Sequence, residues 1–175
     1  MTQRQFYDWQ TLGGTADVSS LVNALEKREI PWCMIGGLAV NHWAQEPMAT
    51  ADVDLVIAAE RVDEAVAVLI EAGFAENRYE WSVNLKGQSK VSVQISTDAI
   101  YQEFPSRSVP ADVHGILMRV ASLQDTLRGK LAAYSDPRRR SSKRQKDLAD
   151  ISRLLEAHPN LQNLLPATIA SRLES

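Results

Sequence analysis

The sequence predicts an α+β fold, in which helices pack on a small sheet of mixed or mostly antiparallel strands and a helical part follows. Two observations lead to this prediction. Short apolar runs typical of strands recur between residues 32 and 120, with amphipathic helix patterns before and between them. Beyond residue 120 the apolar residues recur mainly at helical spacing. We therefore expect an α/β core with an N-terminal arm and helix at residues 1–120 and a helical part at residues 121–175, in one compact unit.

The composition is that of an ordinary globular protein of 175 residues, with 45% hydrophobic and 23% charged residues and a net charge of −3. No apolar run approaches the roughly 18 residues that cross a membrane, and the polar N-terminus does not resemble a signal peptide. The single cysteine, Cys33, excludes an internal disulfide and predicts a small buried side chain. We expect a cytoplasmic protein without a membrane partner.

The N-terminal part is predicted to contain an arm and a first helix. Residues 1–17 are polar with scattered aromatic side chains, which indicates an arm or a short helix. Thr15 or Asp17 is positioned to cap the helix that follows, and Pro31 lies just past its end. The buried face of this helix is predicted from apolar residues at helical spacing, which are Val18, Leu21, Val22 and Leu25.

The central stretch, residues 32–57, combines an apolar strand, a Gly-Gly break, a helix over residues 38–45 and a second apolar strand. The second strand opens with Asp52 and Asp54, whose side chains point to the same face because side chains alternate along a strand. Two neighbouring carboxylates repel each other unless a cation lies between them, and Mg²⁺ prefers oxygen ligands. The pattern therefore predicts a Mg²⁺ site at this strand.

The Gly-Gly break at Gly36 and Gly37 predicts the second half of the same site. Glycine lets a backbone approach a phosphate closely, and the N-terminus of the next helix presents unpaired N–H groups to an anion. Together the two halves indicate a nucleoside triphosphate (NTP) with its metal ion. The alternative is a solvated strand edge next to an ordinary tight turn, since neither motif is specific alone.

The middle of the chain predicts one more helix and the remaining strands. The helix is expected to end at Gly73, because glycine favours the left-handed conformation that follows a helix. Two alternating runs joined by a short polar turn are typical of a hairpin. In chain order, the predicted segments are a helix at residues 61–72, a strand from Phe74, hairpin strands at residues 81–85 and 91–95, a loop with a short strand at residues 101–113, and a strand within residues 113–120.

The first C-terminal helix is predicted to bury a lysine. It begins at Ser122, where Asp125 completes the pattern of a capping box. Its apolar stripe includes Lys130. Because lysine is rarely buried without a partner, we expect an anion next to Lys130.

The second C-terminal helix is predicted at about residues 142–157, with Gln145 completing a capping box at its start. Asp147 and Asp150 flank its apolar stripe at helical spacing, so at least one of them borders the buried face. The remaining tail is weakly amphipathic and is interrupted by Pro166. We expect one or two short helices there.

In strand–helix–strand order, Gly36-Gly37 followed by Asp52-Val53-Asp54 resembles the signature of the DNA polymerase beta-like nucleotidyltransferase superfamily. Residues 36–40 and 50–55 are similar to its minimal branch, which contains the AbiEii/AbiGii-type toxins of bacterial toxin–antitoxin systems. The resemblance covers most of the chain, residues 18–157. It implies a nucleotidyltransferase-like fold and a magnesium-dependent enzyme that moves a nucleoside monophosphate from an NTP to RNA, tRNA, a protein or a small molecule, with an antitoxin protein as partner.

The resemblance also implies a role for each site residue. Lys130 and the pair Lys146-Asp147 match later motifs of AbiEii-type proteins, so Lys130 would contact the triphosphate while Asp147 orients it or helps to deprotonate the acceptor. The alternative is a structural ion pair between Lys130 and Asp147 that joins two helices, and the two roles are compatible. The implied catalytic residues are Asp52, Asp54, Lys130 and Asp147, with one or two Mg²⁺ ions on Asp52 and Asp54. The implied nucleotide-binding residues are Gly36, Gly37, Thr50, Lys130 and Lys146.

The sequence departs from the superfamily at the place of a third carboxylate, which by strand order is Gln94. An amide contributes no charge to a metal ion. Three interpretations stay open: the site works with two acids, Asp98 or another residue replaces the third, or the protein binds a nucleotide without catalysis. Met48 and Ala51 also stand where relatives of this branch often carry arginines.

Six cations lie within the nine residues 138–146, between the two C-terminal helices. Such a run is often a solvated loop and helix start. The alternative is an interaction surface for an RNA backbone, for nucleotide phosphates or for a partner protein. No aromatic residue interleaves the run, so the sequence does not predict base stacking there. The cations are Arg138, Arg139, Arg140, Lys143, Arg144 and Lys146.

Overall fold

The computed structural model describes residues 1–174 and has a seven-stranded sheet at its centre. In chain order the strands are β1 (Trp32–Ile35), β2 (Asp52–Ile57), β3 (Ala75–Arg78), β4 (Ser82–Lys86), β5 (Ser92–Ser96), β6 (Val109–Val113) and β7 (Ile116–Val120). They lie in the order β3-β4-β5-β2-β1-β7-β6. Strand β2 is antiparallel to β1 and parallel to β5, so the predicted α+β fold with a mixed sheet is confirmed.

The helices pack on this sheet and on one another. In residues 1–174 they are α1 (Gln3–Thr11), α2 (Gly14–Lys27), α3 (Gly36–Ala44), α4 (Val62–Glu71), α5 (Leu123–Ser135), α6 (Ser141–Ala157) and α7 (Ala167–Leu173). Short 3₁₀ turns occur at Ala59–Arg61, Ala99–Tyr101, Pro105–Arg107 and Pro159–Leu164. Across the described part of the chain, no helix combines the length and the apolar character needed to span a membrane.

Strand β1 lies inside the sheet because all four of its side chains are apolar and buried. Its neighbours are β2, which is antiparallel to it, and β7, which is parallel to it. In this register Asp54 lies opposite Ile35 on one side and Gln94 on the other. The end of β1 and the middle of β5 therefore flank the second carboxylate of β2.

Two large hydrophobic cores and a small third one hold these layers together. The larger core contains buried side chains of the sheet and of helices α2 and α4, such as Leu21, Leu55 and Leu69. The second large core joins α3, α5, α6 and the C-terminal segment, with Leu127 and Ile151 fully buried between them. Helices α5 and α6 thus form a pair that packs on α3 beside the sheet.

The N-terminal residues form a short helix, which is one of the two structures predicted for them. Helix α1 begins with a capping box that is closed by Thr2 and Gln5. Helix α2 has Gly13 as its N-cap and no side-chain capping hydrogen bond. The prediction that Thr15 or Asp17 caps this helix is therefore wrong.

Asp17 binds the β4–β5 hairpin instead of its own helix. Its carboxylate accepts hydrogen bonds from the backbone N–H of Gln88 (3.3 Å) and of Ser89 (2.8 Å). Gly87 lies so close that an added Cβ would be 2.6 Å from the Asp17 carboxylate. The N-terminal helices therefore fix the turn of the hairpin whose second strand, β5, lies next to β2.

The two C-terminal helices begin where the sequence predicts, but their caps differ from the prediction. The Ser122 hydroxyl accepts a hydrogen bond from the backbone N–H of Asp125 (3.1 Å), so Ser122 is confirmed as the N-cap of α5. The Asp125 carboxylate binds Arg107 rather than closing a capping box. Helix α6 begins at Ser141 without a side-chain cap, so the predicted capping box with Gln145 is wrong.

Candidate functional site

The two aspartates of β2 lie in a cleft formed by β2, β5, the start of α3 and the helices α5 and α6. Two cavities of about 130 and 90 Å³ meet there, and both are lined by Asp54, Gln94, Lys130, Arg139 and Asp147. The first cavity also contacts Gly37, Thr50, Asp52, Ser92, Lys143 and Lys146. The second cavity also contacts Gly36, Ser96, Tyr101, Asp125 and Thr126, among others. The structure therefore brings all the residues of the predicted site together.

Gly36 lies directly against Asp54 at the start of α3. Its φ of +67° is in the left-handed region, which residues with a side chain rarely adopt. A Cβ added to Gly36 would overlap Oδ2 of Asp54 and would lie 3.1 Å from the Cβ and Cγ atoms of that residue. Only glycine therefore lets the backbone approach this carboxylate.

We expect Gly36→Ala to lower the free energy of unfolding by about 1–2 kcal/mol from the left-handed backbone alone, and to displace Asp54. Gly37→Ala is the matched control, because a Cβ there would lie at an ordinary 3.5 Å from Thr50. Urea unfolding of both variants measures the difference. Equal stabilities would contradict the close packing of Gly36 on Asp54.

Asp54 is held in surroundings that disfavour its charge. Burial raises the pKa of its carboxyl above the usual value, although Lys130 acts in the opposite direction, and the negative charge of Asp52 raises it further. The positive charges of the protein alone therefore do not fully offset the cost of ionising Asp54. Additional positive charge in the first cavity would stabilise it.

Asp52 is paired with a cation from a distant part of the chain. The Lys143 Nζ lies 3.1 Å from Asp52 Oδ2, and both side chains are partly exposed. The first turn of α6 therefore brings an ammonium group to the pair of carboxylates. Lys143 supplies part of the positive charge that the strand pattern requires.

Lys130 joins α5 and α6 through two buried aspartates. Its Nζ lies 3.1 Å from Asp147 Oδ1 and 2.7 Å from Asp150 Oδ2. The contact with Asp150 is a charge contact, since that oxygen has no well-oriented hydrogen bond. Burial lowers the pKa of Lys130, but the two aspartates outweigh this and raise it overall. The predicted ion pair between Lys130 and Asp147 is confirmed.

Two arginines complete this buried charge cluster. Arg139 binds Asp147 with two nitrogens, one of them at 3.1 Å, and Arg153 Nη1 lies 3.0 Å from Asp150 Oδ1. With Lys130, the cluster contains three cations and two anions. Lys130 and Arg139 also act on the neighbouring Asp54 carboxylate, so the excess positive charge of this cluster offsets part of that negative charge.

Gln94 stands at the place of a third carboxylate. It lies directly opposite Asp54 in the parallel β2–β5 pair, and its exposed side chain lines both cavities. Asp98, the alternative acid, instead accepts a hydrogen bond from the backbone N–H of Ile100 and caps a 3₁₀ turn. The β2–β5 face thus presents two carboxylates and one amide.

The basic run of residues 138–146 is more structured than a solvated loop. Arg139 pairs with Asp147, Lys143 pairs with Asp52, and Arg144 donates a hydrogen bond to the Tyr134 carbonyl. Within residues 1–174, the side chains of Arg140 and Lys146 have no hydrogen-bond or ion-pair partner. These two cations remain free to bind phosphate groups.

The second cavity contains residues that the sequence analysis did not identify as part of a site. Asp125 is fully buried there and is paired with Arg107 (2.8 Å) and Arg128 (2.9 Å). Burial tends to raise the pKa of Asp125, but hydrogen bonds from the two arginines outweigh this and lower it. The only sequence signal was its capping position, which predicts a helix start but no partner. Ser96, Tyr101 and Thr126 also belong to this group.

The donor set fits a hard divalent cation. Asp52 and Asp54 offer carboxylate oxygens on one face of β2, and Gln94 and Thr50 offer an amide and a hydroxyl oxygen beside them. Residues 1–174 contain no cluster of three or more histidine, cysteine or acidic side chains suited to a metal. A metal held here would thus have two protein carboxylates and depend on substrate phosphates for further ligands, which is typical of Mg²⁺.

Comparison with known proteins gives one family match. The sequence profile of the family described as "Nucleotidyl transferase AbiEii toxin, Type IV TA system" matches residues 21–175. No protein of curated function matches this chain in sequence.

Several solved structures share the fold. ANT(2'')-Ia in complex with adenylyl-2''-tobramycin has a TM-score of 0.64 at 16% identity, over 89% of this chain and 95% of that chain. The lincosamide antibiotic adenylyltransferase LnuA, with lincomycin bound, has a TM-score of 0.55 at 11% identity, over 79% and 96%. A nucleotidyltransferase-like protein from Paracoccidioides brasiliensis has a TM-score of 0.50 at 22% identity, over 90% of each chain. At these identities the similarity shows the fold alone.

Proposed function

Since this chain belongs to the AbiEii nucleotidyltransferase toxin family, we propose that it is a magnesium-dependent enzyme that moves a nucleoside monophosphate from an NTP to an acceptor hydroxyl. The observation that carries this proposal is the face of β2, where Asp52 and Asp54 lie beside the glycine start of α3 and under the cations of α5 and α6. In the reaction, the acceptor oxygen bonds to the α-phosphorus while the bond to the β-phosphate oxygen breaks. Pyrophosphate leaves, and the acceptor loses its proton.

Asp52 and Asp54 would hold Mg²⁺ in this proposal. When bound, the metal neutralises phosphate charge and lowers the pKa of the attacking hydroxyl. Gly36 keeps the Asp54 carboxylate against the start of α3, so its oxygens are restricted in position. Thr50 restrains the backbone of Asp52, because the Thr50 hydroxyl accepts a hydrogen bond from the backbone N–H of Asp52 (3.2 Å).

The first cavity would bind the triphosphate. Gly37 and the N-terminus of α3 present backbone N–H groups, which favour an anion. Lys146 lines the same cavity and has no partner within residues 1–174, so it can pair with a phosphate. Lys130 would stabilise the charge that develops on the leaving pyrophosphate, and Asp147 fixes Lys130 in place.

The family name supports a toxin with a cognate antitoxin protein as partner. The acceptor in this proposal is RNA, such as tRNA, or a protein. The two antibiotic adenylyltransferases with the same fold make a small-molecule hydroxyl a further acceptor class to test. The cations at residues 138–146 favour an acceptor that carries phosphates.

A second function is favoured by one specific observation. Gln94 stands opposite Asp54 where a third acid would complete the metal site. Without that charge, the same cleft could bind a nucleotide and its metal but transfer nothing. The protein would then regulate through nucleotide binding.

Labelled nucleotides distinguish the two functions. The protein is incubated with Mg²⁺ and each of the four α-labelled NTPs, with and without total RNA and cell extract. If the wild type transfers label to an acceptor and Asp54→Asn does not, the result supports the transferase and identifies the nucleotide that it uses. Metal-dependent nucleotide binding without transfer supports the second function.

Lys143 and a metal ion are expected to compete for Asp52. We expect Lys143→Ala to bind Mn²⁺ roughly 1.5- to 5-fold more tightly than the wild type, which is the range for a partly exposed ion pair. Lys146→Ala is the control, because it removes a charge from the same cavity without releasing a carboxylate. Titration calorimetry of the metal alone measures both affinities. Equal changes in the two variants would contradict the competition.

A further inference from the structure

An exposed tryptophan lies beside the basic run at the edge of the site. The Trp81 side chain is 54% exposed, and the guanidinium carbon of Arg138 lies over its ring, 5.8 Å from the ring centroid. Trp81 precedes β4 and is far from residues 138–146 in sequence. The fold therefore supplies the basic run with the aromatic partner that its own sequence lacks.

The Arg138 guanidinium and the backbone of Trp81 each have a hydrogen-bond partner. Arg138 Nε lies 3.1 Å from Asp136 Oδ1, and Arg138 Nη2 lies 3.3 Å from the other oxygen of that carboxylate. The Trp81 carbonyl accepts a hydrogen bond from the backbone N–H of Thr97 (3.3 Å). A preformed flat surface costs less conformational entropy on binding than two mobile side chains.

The pair lies next to the second cavity. Strands β4 and β5 pair Ser82 with Ser96, so Trp81 is beside the end of β5, and Ser96 lines that cavity. Arg138, the other member of the pair, is followed directly in the sequence by Arg139, which lines both cavities. A ligand that stacks on Trp81 would therefore lie at the rim of the second cavity, which Asp54 also lines.

We propose that Trp81 and Arg138 form a stacking site for an unpaired nucleobase at the end of an acceptor nucleic acid strand. This inference rests on the proposed function, because it assigns the acceptor class of the same site. Nucleobases stack on aromatic rings and on arginine guanidinium groups regardless of their identity. The strand end then places its terminal hydroxyl in the second cavity, while Arg140 is available for its phosphates.

Charge favours a nucleic acid over a peptide at this surface. The basic run that begins at Arg138 includes Arg140, which is exposed and has no side-chain partner within residues 1–174, so it is available to an anion. A nucleic acid brings one phosphate for every base. A nucleic acid can therefore pair with the cations and stack on the Trp81 ring at the same time, whereas a peptide needs a particular sequence to do both.

Tryptophan fluorescence tests the stacking directly in the full chain. Trp9 and Trp81 are the two strongly exposed tryptophans within residues 1–174, at 69% and 54%. In a Trp9→Phe background, Trp81 is therefore the main exposed reporter. Single-stranded hexamers of ribonucleotides and of deoxyribonucleotides, an RNA duplex, and heparin as a polyanion without bases are the probes.

We expect the single-stranded hexamers to quench the fluorescence, and the duplex and heparin to leave it nearly unchanged. Trp81→Ala should weaken binding of the ribonucleotide hexamer roughly 5- to 100-fold, measured by anisotropy, with heparin binding unaltered. Trp9→Ala removes the more exposed of the two tryptophans, which lies on α1, and as the matched control it should bind like the wild type. Quenching by both kinds of hexamer would assign any single strand, and quenching by the ribonucleotide alone would assign RNA.

Unchanged hexamer affinity in Trp81→Ala would overturn the inference, as would equal quenching by heparin. Transfer of label to a protein that requires Trp81, with no label on RNA, would assign the surface to a protein acceptor and also overturn it. Binding of the hexamer does not depend on catalysis, so the hexamer should still quench the Trp81 fluorescence of the Asp54→Asn variant. Quenching of Trp81 without any transfer of label would therefore contradict the proposed function but not this inference. Transfer of label that is unchanged in Trp81→Ala would contradict this inference but not the proposed function.

Discussion

Asp54→Asn should reduce the rate of nucleotidyl transfer by about 10³-fold or more while it makes the protein more stable at neutral pH. A metal ion contributes several kcal/mol of charge stabilisation in the transition state, and each 1.36 kcal/mol is a factor of ten in rate. An amide in place of the Asp54 carboxylate removes the charge that holds the ion. Single-turnover transfer of an α-labelled NTP measures this loss.

The stability change has the opposite sign because burial raises the pKa of Asp54. An acid with a raised pKa in the native state costs stability as the pH rises above the unfolded value of about 3.9, and the full cost remains above the native pKa. The neutral amide does not carry this cost. We expect a higher Tm for Asp54→Asn at pH 7 and no advantage below about pH 3.9, where both side chains are neutral.

Asp52→Asn is the matched control for this prediction. It also removes a metal-binding carboxylate, but one that is partly exposed and paired with Lys143. We therefore expect loss of transfer without a gain in Tm. An active Asp54→Asn variant would show that the chemistry does not use the β2 carboxylates, and a lowered Tm would show that the surrounding cations dominate at Asp54.

Lys130→Met should destabilise the protein by about 3 kcal/mol. Breaking a buried ion pair costs about 3–5 kcal/mol, because the remaining partner is left charged and uncompensated. Asp147 and Asp150 are 1% and 3% exposed at the side chain, so water cannot replace the lysine. The lower end of the range applies because Arg139 and Arg153 still contact the two aspartates.

Urea unfolding at pH 7 measures this effect against two further variants. Lys146→Met removes a lysine from the same cleft that has no partner within residues 1–174, and it should leave the stability unchanged. The double variant with Lys130→Met and Asp150→Asn also removes one of the two carboxylates that lost their lysine. It should recover part of the lost free energy of unfolding. A cost below about 1 kcal/mol, the level of an exposed pair, would contradict the buried network.

Local patterns in the sequence were sufficient for the carboxylate strand. The alternation of Asp52, Val53 and Asp54 fixes which side chains share a face, and this holds wherever the strand lies in a sheet. Helical periodicity likewise placed Lys130 on a buried stripe and at least one of Asp147 and Asp150 at the border of the next one. These predictions depend only on residues that are close in sequence, so they needed no knowledge of the tertiary structure.

The partners of these residues could not be predicted in the same way. Lys143 reaches Asp52 only because α6 begins above β2, and Trp81 reaches Arg138 only because β4 pairs with β5. Asp17 could bond to N–H groups of its own helix or to those of the hairpin, and packing of the hairpin decided the outcome. In each case tertiary packing decided the partner, and local sequence patterns carry no information about that packing.

The separation of the site along the chain has a consequence for its biosynthesis. Asp52 and Lys143 are 91 residues apart, and Asn41 and Arg153, which share a hydrogen bond, are 112 apart. At typical rates of translation, the carboxylates leave the ribosome roughly 5–20 s before the lysine that pairs with Asp52. A nascent chain therefore carries unneutralised carboxylates without their cations, and it gains the charge balance of the cleft only when the last long helix docks.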